Sequence, residues 1–158
     1  MPRLIASWLL LLLLVAACGW KPPTSAQGPD TCKPTDGPTA DTVSSAIAGV
    51  PRQDGTPWHE TGRGHATECR LYWVQVGTGS DSATPQHVLF FDRNTFLGTA
   101  TPNPRPYTNV VTSGPNMVTV QYQWQQPNDQ PGLPTGIAQV RFQLDRDDKM
   151  KALDPIPG

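Results

Sequence analysis

The residues with the clearest chemical potential are histidines grouped with acidic residues. His59, Glu60, His65 and Glu68 lie within ten positions, and His87 follows on a later segment. Imidazole and carboxylate groups bind Zn²⁺ when several of them converge on one point. His59 and His65 are six positions apart in a segment that contains glycines, so the helical HExxH arrangement is missing. We therefore expect no metal site and no bound cofactor, with these side chains on an exposed loop.

A serine nucleophile is equally weakly supported. A hydrolase of the common type needs a serine on a constrained turn, often within Gly-x-Ser-x-Gly, and the sequence lacks that pattern. Ser80, Ser82 and Ser113 lie near glycines, as serines in loops commonly do. Asp92-Arg93-Asn94 is a possible charged site at a strand end, although these residue types also favour a hairpin turn. We predict no catalytic residue and keep hydrolysis as the enzymatic alternative.

Cys18 has a different chemical setting, at the end of an N-terminal apolar run. Arg3 precedes the 14 apolar or small residues Leu4–Ala17, and a membrane-spanning helix needs roughly 20. A charge, an apolar run and a small-residue site together indicate a secretory signal. Val15-Ala16-Ala17-Cys18 resembles the lipobox of bacterial lipoproteins, in which the cysteine is acylated and becomes the first residue of the processed chain.

This resemblance predicts where the protein is located. Residues 1–17 would be the signal peptide, and a lipidated Cys18 would anchor the chain at the extracytoplasmic face of the cell membrane. The membrane would then be a partner through the lipid. The alternative is an ordinary cleaved signal followed by a cysteine that occurs there by chance.

Cys32 and Cys69 remain after Cys18 is assigned to the anchor. Two cysteines in an exported domain indicate one disulfide, because the compartment is oxidising. In the chain-entropy model, closing a loop of about 37 residues stabilises the fold by roughly 3–4 kcal/mol. The alternative is one or two free thiols with redox or metal-binding roles. The sequence has no CxxC and no cysteine–histidine spacing that would favour this alternative.

Composition limits the class of protein. The chain has 12 basic and 13 acidic residues, and without a basic excess it is not expected to bind nucleic acid. Its 18 prolines and 14 glycines favour short segments and turns over long helices. Removal of residues 1–17 leaves 141 residues, the size of one domain. We assign residues 18–31 to the lipidated cysteine and a flexible tether, and residues 32–158 to a single domain.

One helix is predicted near the start of that domain, over Ala40–Val50. Val43, Ile47 and Val50 are spaced by four and three positions, which places them on one helix face. Thr39 or Asp36 is suited to cap its first turn. The following residues, 53–68, show no strand periodicity and are expected to be irregular.

Seven short strands are predicted after this irregular segment. Two of them, 118–124 and 138–144, alternate apolar and polar residues throughout, which indicates a sheet with one buried face. The other predicted strands are 70–76, 87–91, 96–100, 107–112 and 150–153. We predict an α+β fold in which the N-terminal helix packs on a twisted antiparallel sheet of six or seven short strands. The alternative is a small β-sandwich or an open barrel.

Two surfaces are candidates for binding. If the two alternating strands pair, their polar positions form a flat, weakly charged panel that could hydrogen-bond a glycan or the backbone of a partner. These positions are Thr119, Gln121, Gln123, Gln139, Arg141 and Gln143. The second candidate is the proline-rich segment Pro102–Tyr107, because a stiff loop that ends in an aromatic residue loses little order on docking. The alternatives are an ordinary solvated sheet face and a rigid crossover.

Several blocks of the sequence resemble the LppP/LprE lipoproteins of mycobacteria and related actinobacteria. The blocks are 32–40, 70–76, 85–93, 105–107, 118–125 and 153–158. The resemblance covers nearly all of the domain and implies a lipoprotein of the actinobacterial cell envelope. It supplies no catalytic or ligand-binding residues.

Two functions are compatible with these observations. The first is a non-enzymatic, envelope-anchored module that binds a protein, a glycan or a lipid of the envelope. The second is a lipid or glycolipid carrier with a cavity between the helix and the sheet, suggested by strands 71–76 and 88–91 that are apolar on both faces. A domain of this size leaves little room for a cavity, which favours the binding module.

Overall fold

The structure, a computed structural model, describes residues 30–158. The predicted signal peptide, Cys18 and all but the last two residues of the predicted tether lie outside this range. A short 3-10 turn, Pro34–Asp36, precedes one helix, α1, and eight strands. Their bounds are α1 Ala40–Gly49, β1 His59–His65, β2 Leu71–Gly77, β3 Gln86–Asp92, β4 Thr95–Thr99, β5 Thr108–Ser113, β6 Met117–Trp124, β7 Gly136–Leu144 and β8 Met150–Ala152.

The eight strands form two antiparallel sheets of four strands each. Sheet I has the order β1-β2-β3-β4, and sheet II has the order β5-β6-β7-β8. Every pairing joins consecutive strands, as expected for hairpin connections. The prediction of one sheet of six or seven strands with a helix packed on it is therefore wrong. Residues 30–158 form mainly two packed sheets with one short helix.

The proline-rich connector explains why the chain forms two sheets. Pro102, Pro104 and Pro106 have no backbone N–H, so this segment cannot continue the ladder beside β4. Within it, only Arg105 forms a strand-like bridge, exchanging backbone hydrogen bonds with Gln86 at the start of β3. The chain then leaves sheet I, and β5 begins the second sheet at Thr108.

The two central strands of sheet I, β2 and β3, are buried on both faces. Leu71, Val88 and Phe90 face sheet II, where they pack with the inward side chains of β6 and β7. Val74, Leu89 and other side chains on the opposite face pack against α1. The aromatic rings of Phe90 and Phe142 are 5.2 Å apart across the two sheets. This double burial explains why β2 and β3 are apolar at nearly every position.

Helix α1 begins where the sequence predicts. The hydroxyl of Thr39 accepts a hydrogen bond from the backbone N–H of Thr42 at 3.2 Å, which caps the first turn. The backbone N–H of Thr39 in turn donates to the Asn94 side chain in the β3–β4 turn. Val43 and Ala46 are buried against sheet I. Among residues 30–158, no helix is long and apolar enough to cross a membrane.

Strand β1 was not predicted, because its segment was expected to be irregular. It forms the outer edge of sheet I and pairs only with β2. All of its side chains are exposed or half-buried. An edge strand without a buried side chain has no apolar alternation, so its sequence lacks the signal on which strand prediction depends.

Two covalent or ionic links attach outlying segments to sheet I. A disulfide joins Cys32, before the 3-10 turn, to Cys69 in the β1–β2 loop. Arg70 donates to Asp92 on β3 and to Asp148 in the β7–β8 turn, so its guanidinium connects the two sheets. The predicted disulfide is therefore present in the structure.

Candidate functional site

The predicted polar panel forms, because β6 and β7 pair with Gln121 opposite Gln139 and Thr119 opposite Arg141. Several of its side chains are already occupied by partners within the chain. Arg141 donates two hydrogen bonds of 2.8 Å to Asp154, and Gln143 donates to Asn116. Thr119 is buried. This end of the panel is therefore part of the internal bonding of sheet II.

The other end of the panel opens into a cleft. Gln121 and Gln123 line a depression of about 430 Å³ that we call the polar cleft. It lies between β1–β2 of sheet I, the β2–β3 loop and β5–β6 of sheet II. The remaining lining residues are Thr61, Gly62, Trp73, Gln75, Gly79, Ser80, Ser82, Gln86, Tyr107, Thr108 and Asn109.

Two glutamines fix the base of the polar cleft. The Gln75 side-chain amide donates to the side-chain oxygen of Gln86 at 2.5 Å and to the backbone oxygen of Thr108 at 2.9 Å. Gln86 is buried and donates to the backbone oxygen of Ser82 at 3.1 Å. These bonds connect β2, β3, the β2–β3 loop and β5 at one point. The cleft therefore has a preorganised base.

Tyr107 forms part of the wall beside sheet II. Its backbone N–H donates to Ser82 at 2.6 Å, and its backbone oxygen accepts from Gln123. It has a positive φ of 50°, an uncommon conformation for a non-glycine residue. Tyr107 ends the stiff segment that was predicted as a second docking surface. The structure thus brings one end of the panel and the end of this segment together in one cleft.

The β2–β3 loop forms one side of the cleft, and hydrogen bonds within the loop hold it in place. The Asp81 carboxylate accepts from the backbone N–H of Ala83 at 2.8 Å. The hydroxyl of Thr84 donates to the backbone oxygen of Asp81 at 2.6 Å. Asp81 caps the loop and does not line the cleft. Ser80 and Ser82 of this loop do line it.

Trp73 provides an aromatic surface between the polar cleft and a second cleft. It is half-buried on β2 and lies against the glycines of β1. A Cβ on Gly64 would lie only 2.7 Å from the indole ring, and a Cβ on Gly62 would lie 3.8 Å from it. Glycine at these positions therefore leaves space for the indole. The indole N–H is buried and has no hydrogen-bond partner among residues 30–158.

The lack of charged side chains is the property that most restricts which ligands the polar cleft can bind. None of the thirteen lining residues is Asp, Glu, Lys, Arg or His. The side chains are amides, hydroxyls and two aromatic rings. An ionic ligand would lose its hydration in such a cleft without gaining an opposite charge. The cleft is suited to a neutral ligand that forms hydrogen bonds.

The histidines and acidic residues considered above as a possible metal cluster do not come together. His59 and His65 lie at opposite ends of β1, and Glu60 is paired with Arg63 at 2.5 Å. Glu68 is in the exposed β1–β2 loop. His87 is buried on the helix side of β3, with its ring 5.1 Å from that of Trp58. Burial lowers the pKa of His87, which favours the neutral imidazole.

A second cleft, of about 380 Å³, lies beside the N-terminal segment. Here His65 contacts Asp30 at 3.1 Å. The hydrogen bond that Asp30 accepts from the backbone of Cys32 lowers the pKa of its carboxyl, and His65 contributes further. Asp30, Cys32 and His65 are the one group in residues 30–158 close enough together to suggest a metal. Cys32 is in the disulfide and offers no thiolate, so this group cannot form a tetrahedral site.

The candidate charged site Asp92-Arg93-Asn94 is structural. Asp92 accepts from Arg70, and Asn94 accepts from the residue that caps α1. Arg93 has a positive φ in the turn, and its guanidinium lies 3.9 Å from the Asp92 carboxylate. These contacts account for all three residues.

Sequence reasoning found Gln121, Gln123 and Tyr107 but missed Trp73, Gln75 and Gln86. The two glutamines sit within apolar strands, at positions 75 and 86, where an apolar residue would match its neighbours. A polar residue at a core position of a strand requires a hydrogen-bond partner. This mismatch was the signal that could have identified them.

Comparison with known proteins defines the class of this chain. It belongs to the LppP/LprE lipoprotein family, whose model matches residues 63–147. The polar cleft lies within this matched range except for Thr61 and Gly62. The protein is therefore a lipoprotein, a class associated with the membranes of the cell envelope.

Individual relatives agree with this assignment. The chain is 53% identical over 145 residues to lipoprotein LppP of Mycobacterium bovis and to lipoprotein LppP of Mycobacterium tuberculosis. Each alignment covers 90% of this chain and 83% of the relative. No solved structure matches the chain.

Proposed function

We propose that this lipoprotein is an extracytoplasmic binding module, anchored to the cell membrane through a lipid on Cys18. It holds a neutral component of the envelope in the polar cleft and does not alter it chemically. Membership of the lipoprotein family supports the envelope location. The Val-Ala-Ala-Cys motif supports the anchor, and the Cys32–Cys69 disulfide fits an oxidising compartment.

One observation carries the binding role. The two surfaces that the sequence indicates as candidates meet in the polar cleft, where Gln121 and Gln123 lie beside Tyr107. The base of this cleft is fixed by the Gln75–Gln86 hydrogen bond. A rigid site loses little conformational entropy when a ligand binds. Its volume also falls within the range of about 300–1,000 Å³ typical of ligand pockets.

The lining chemistry favours binding over catalysis. General acid–base catalysis uses groups that gain or lose a proton near the working pH. No Asp, Glu, Lys, Arg, His or Cys side chain lines the polar cleft. Ser80 and Ser82 line the cleft without a histidine beside them. The residues present can hold a ligand but lack a base that would activate a nucleophile.

The carrier hypothesis receives no such support. It requires the apolar side chains of β2 and β3 to line a cavity. Those side chains pack into two cores instead, one against α1 and one against sheet II. Val76, Leu89 and Phe91 are fully buried. The helix and the sheet are therefore in close contact where a lipid chain would have to lie.

Hydrogen–deuterium exchange tests the binding role. The full-length protein, purified in detergent from an actinobacterial host, would be mixed with solubilised envelope material from the same host. We expect slower exchange in 73–82 and 107–109, the backbone segments of the polar cleft. A Gln121→Ala/Gln123→Ala variant should lose this effect, whereas Gln126→Ala, an exposed loop control, should keep it. Unchanged exchange in those segments, or an equal effect in the double variant, would contradict the proposal.

A further inference from the structure

We infer that the ligand of the polar cleft is a neutral carbohydrate, with one sugar ring lying against Trp73. This inference rests on the proposed function and specifies the chemical class of the ligand. It follows from the combination of charge, hydrogen-bonding groups and aromatic surface in the cleft.

The absence of charge among the lining residues is the first step. The chain carries 12 basic and 13 acidic residues, yet none of them lines this cleft. A site for a phosphate, a carboxylate or an ammonium group would place an opposite charge at the contact. Exclusion of charge selects against such ligands, because they would be desolvated without compensation.

The hydrogen-bonding groups are the second step. Amides and hydroxyls both donate and accept hydrogen bonds. A sugar presents many hydroxyl groups, each of which also donates and accepts. Gln121, Gln123 and Asn109 of β5 and β6 offer amides, and Ser80 and Ser82 of the β2–β3 loop offer hydroxyls. These groups can therefore form hydrogen bonds with several sugar hydroxyls, whether each hydroxyl acts as the donor or as the acceptor.

The aromatic surface is the third step. Sugars have an apolar face of C–H groups that packs on aromatic rings, and the π-electrons of the ring attract the positive edges of those C–H bonds. Trp73 and Tyr107 are the aromatic side chains of the cleft. The indole of Trp73 packs directly against Gly64, so closely that an added Cβ there would lie 2.7 Å from the ring. The sugar would therefore meet a preformed platform.

Other ligand classes fit less well. A lipid chain requires a mainly apolar lining, and the aromatic rings here are surrounded by amides and hydroxyls. An extended peptide would add to a free strand edge and use backbone hydrogen bonds. Within residues 30–158, β1 and β5 are edge strands and both border the cleft. The backbone oxygen of Thr108 on β5 already accepts a hydrogen bond from Gln75. The side-chain amides and aromatic rings of the lining favour a sugar over a peptide backbone, and the protease treatment below tests this choice.

Chemical treatment of the envelope material distinguishes the classes. Periodate cleaves the vicinal diols of sugars and leaves most of a peptide chain intact, whereas a protease does the reverse. In the exchange experiment above, periodate treatment should abolish protection of the cleft, and protease treatment should preserve it. Protection that survives periodate but not protease would overturn the carbohydrate inference while the binding role stands. If untreated envelope material gives no protection of the cleft, the binding role itself is contradicted.

Defined sugars then test the site directly. Calorimetry or saturation-transfer NMR with neutral tetrasaccharides of glucose, mannose and N-acetylglucosamine should detect binding, and a tetramer of galacturonate should bind more weakly. Gln121→Glu keeps the side-chain size but adds a charge, and should weaken neutral-sugar binding by about tenfold or more. Gln126→Glu is the matched control. Equal binding by wild type and by Gln121→Glu would place the sugar elsewhere and overturn the inference.

Discussion

The indole of Trp73 occupies the space that a side chain on Gly64 would need. The two residues face each other across β1 and β2, and an added Cβ would lie 2.7 Å from one ring atom and 2.9 Å from the next. The same relationship recurs at Gly37 with Tyr72 and at Gly136 with Trp124. Glycine is therefore required at these positions for space, since none of the three has a positive φ.

Substitution of Gly64 should destabilise the protein and disturb the polar cleft. Gly64→Val would force the indole out of its position, and overpacking of this kind typically costs about 1–3 kcal/mol. Urea denaturation followed by circular dichroism measures the change. Gly49→Ala is the control, because its Cβ would contact nothing within 4 Å and alanine favours a helix. Equal stability of Gly64→Val and wild type would contradict this account of Trp73.

Removal of the disulfide should lower stability without changing the sheets. The bridge closes a loop of 37 residues, for which the chain-entropy model gives about 3–4 kcal/mol. A Cys32→Ser/Cys69→Ser variant should therefore unfold at a lower urea concentration. Free-thiol titration of the unfolded, unreduced Cys18→Ala variant, which keeps Cys32 and Cys69, should find no reactive thiol. Two reactive thiols in that titration would exclude the disulfide in the isolated protein.

The sequence predicts the individual elements well because their signals are local. The seven expected strands all occur within two residues of their predicted ends, and the caps of α1 are visible as residue types. The division into two sheets depends on which strand edges remain available. Arg105 pairs with Gln86 between two prolines. The prolines end the ladder beside β4, but their pattern does not determine whether the next strand rejoins the same sheet or starts a second one.

The candidate site was predicted in part for a related reason. Gln121 and Gln123 are polar residues at alternating positions of a strand, and Tyr107 ends a proline-rich segment. The local sequence alone therefore places them at the surface, where they can contact a ligand. Trp73 and Gln75 occupy a strand that reads as core. They reach the cleft only because β1 contributes glycines beside Trp73 and because Thr108 approaches Gln75 from the other sheet. Such contacts are set by tertiary structure.

His87 should make stability depend on pH. Its folded-state pKa is below the usual value of 6.5 because of burial. The unfolded chain therefore binds a proton at a higher pH than the folded protein does, and stability falls as the pH decreases from about 6.5 toward the lowered pKa. Urea midpoints measured between pH 7.5 and 5 should show this decline. His87→Phe, which keeps an aromatic ring beside Trp58, should remove its share of the decline.

The control for this pH effect is a residue that does not titrate, in the same core. Leu89 is buried on the same face of β3 as His87, so Leu89→Val should lower stability but leave the slope of stability against pH as it is in wild type. A slope that is unchanged in His87→Phe would show that another group governs the dependence.

The anchor can be tested through Cys18, which lies outside the described residues. Cys18→Ala removes the thiol that would carry the lipid, and a lipid anchor is what holds such a protein stably at a bilayer. In cell fractionation and in detergent phase partition, this variant should be found in the aqueous fraction and no longer in the membrane fraction. Cys69→Ala is a useful control, because it removes a cysteine without affecting the anchor. Retention of Cys18→Ala in the membrane fraction would exclude lipidation as the anchor.

Arg70 should be among the charged residues that contribute most to stability. Its guanidinium is shared between Asp92, whose side chain is only 14% exposed, and Asp148, whose side chain is 66% exposed. Arg70→Met would remove the hydrogen-bonded partner of the largely buried Asp92 carboxylate and leave only the Arg93 guanidinium, at 3.9 Å, at a cost of about 1–3 kcal/mol. Asp148→Asn should cost less than about 1 kcal/mol, because that contact is at the surface. Urea denaturation of both variants and of the double variant would measure the coupling, and equal losses from the two single substitutions would refute this ranking.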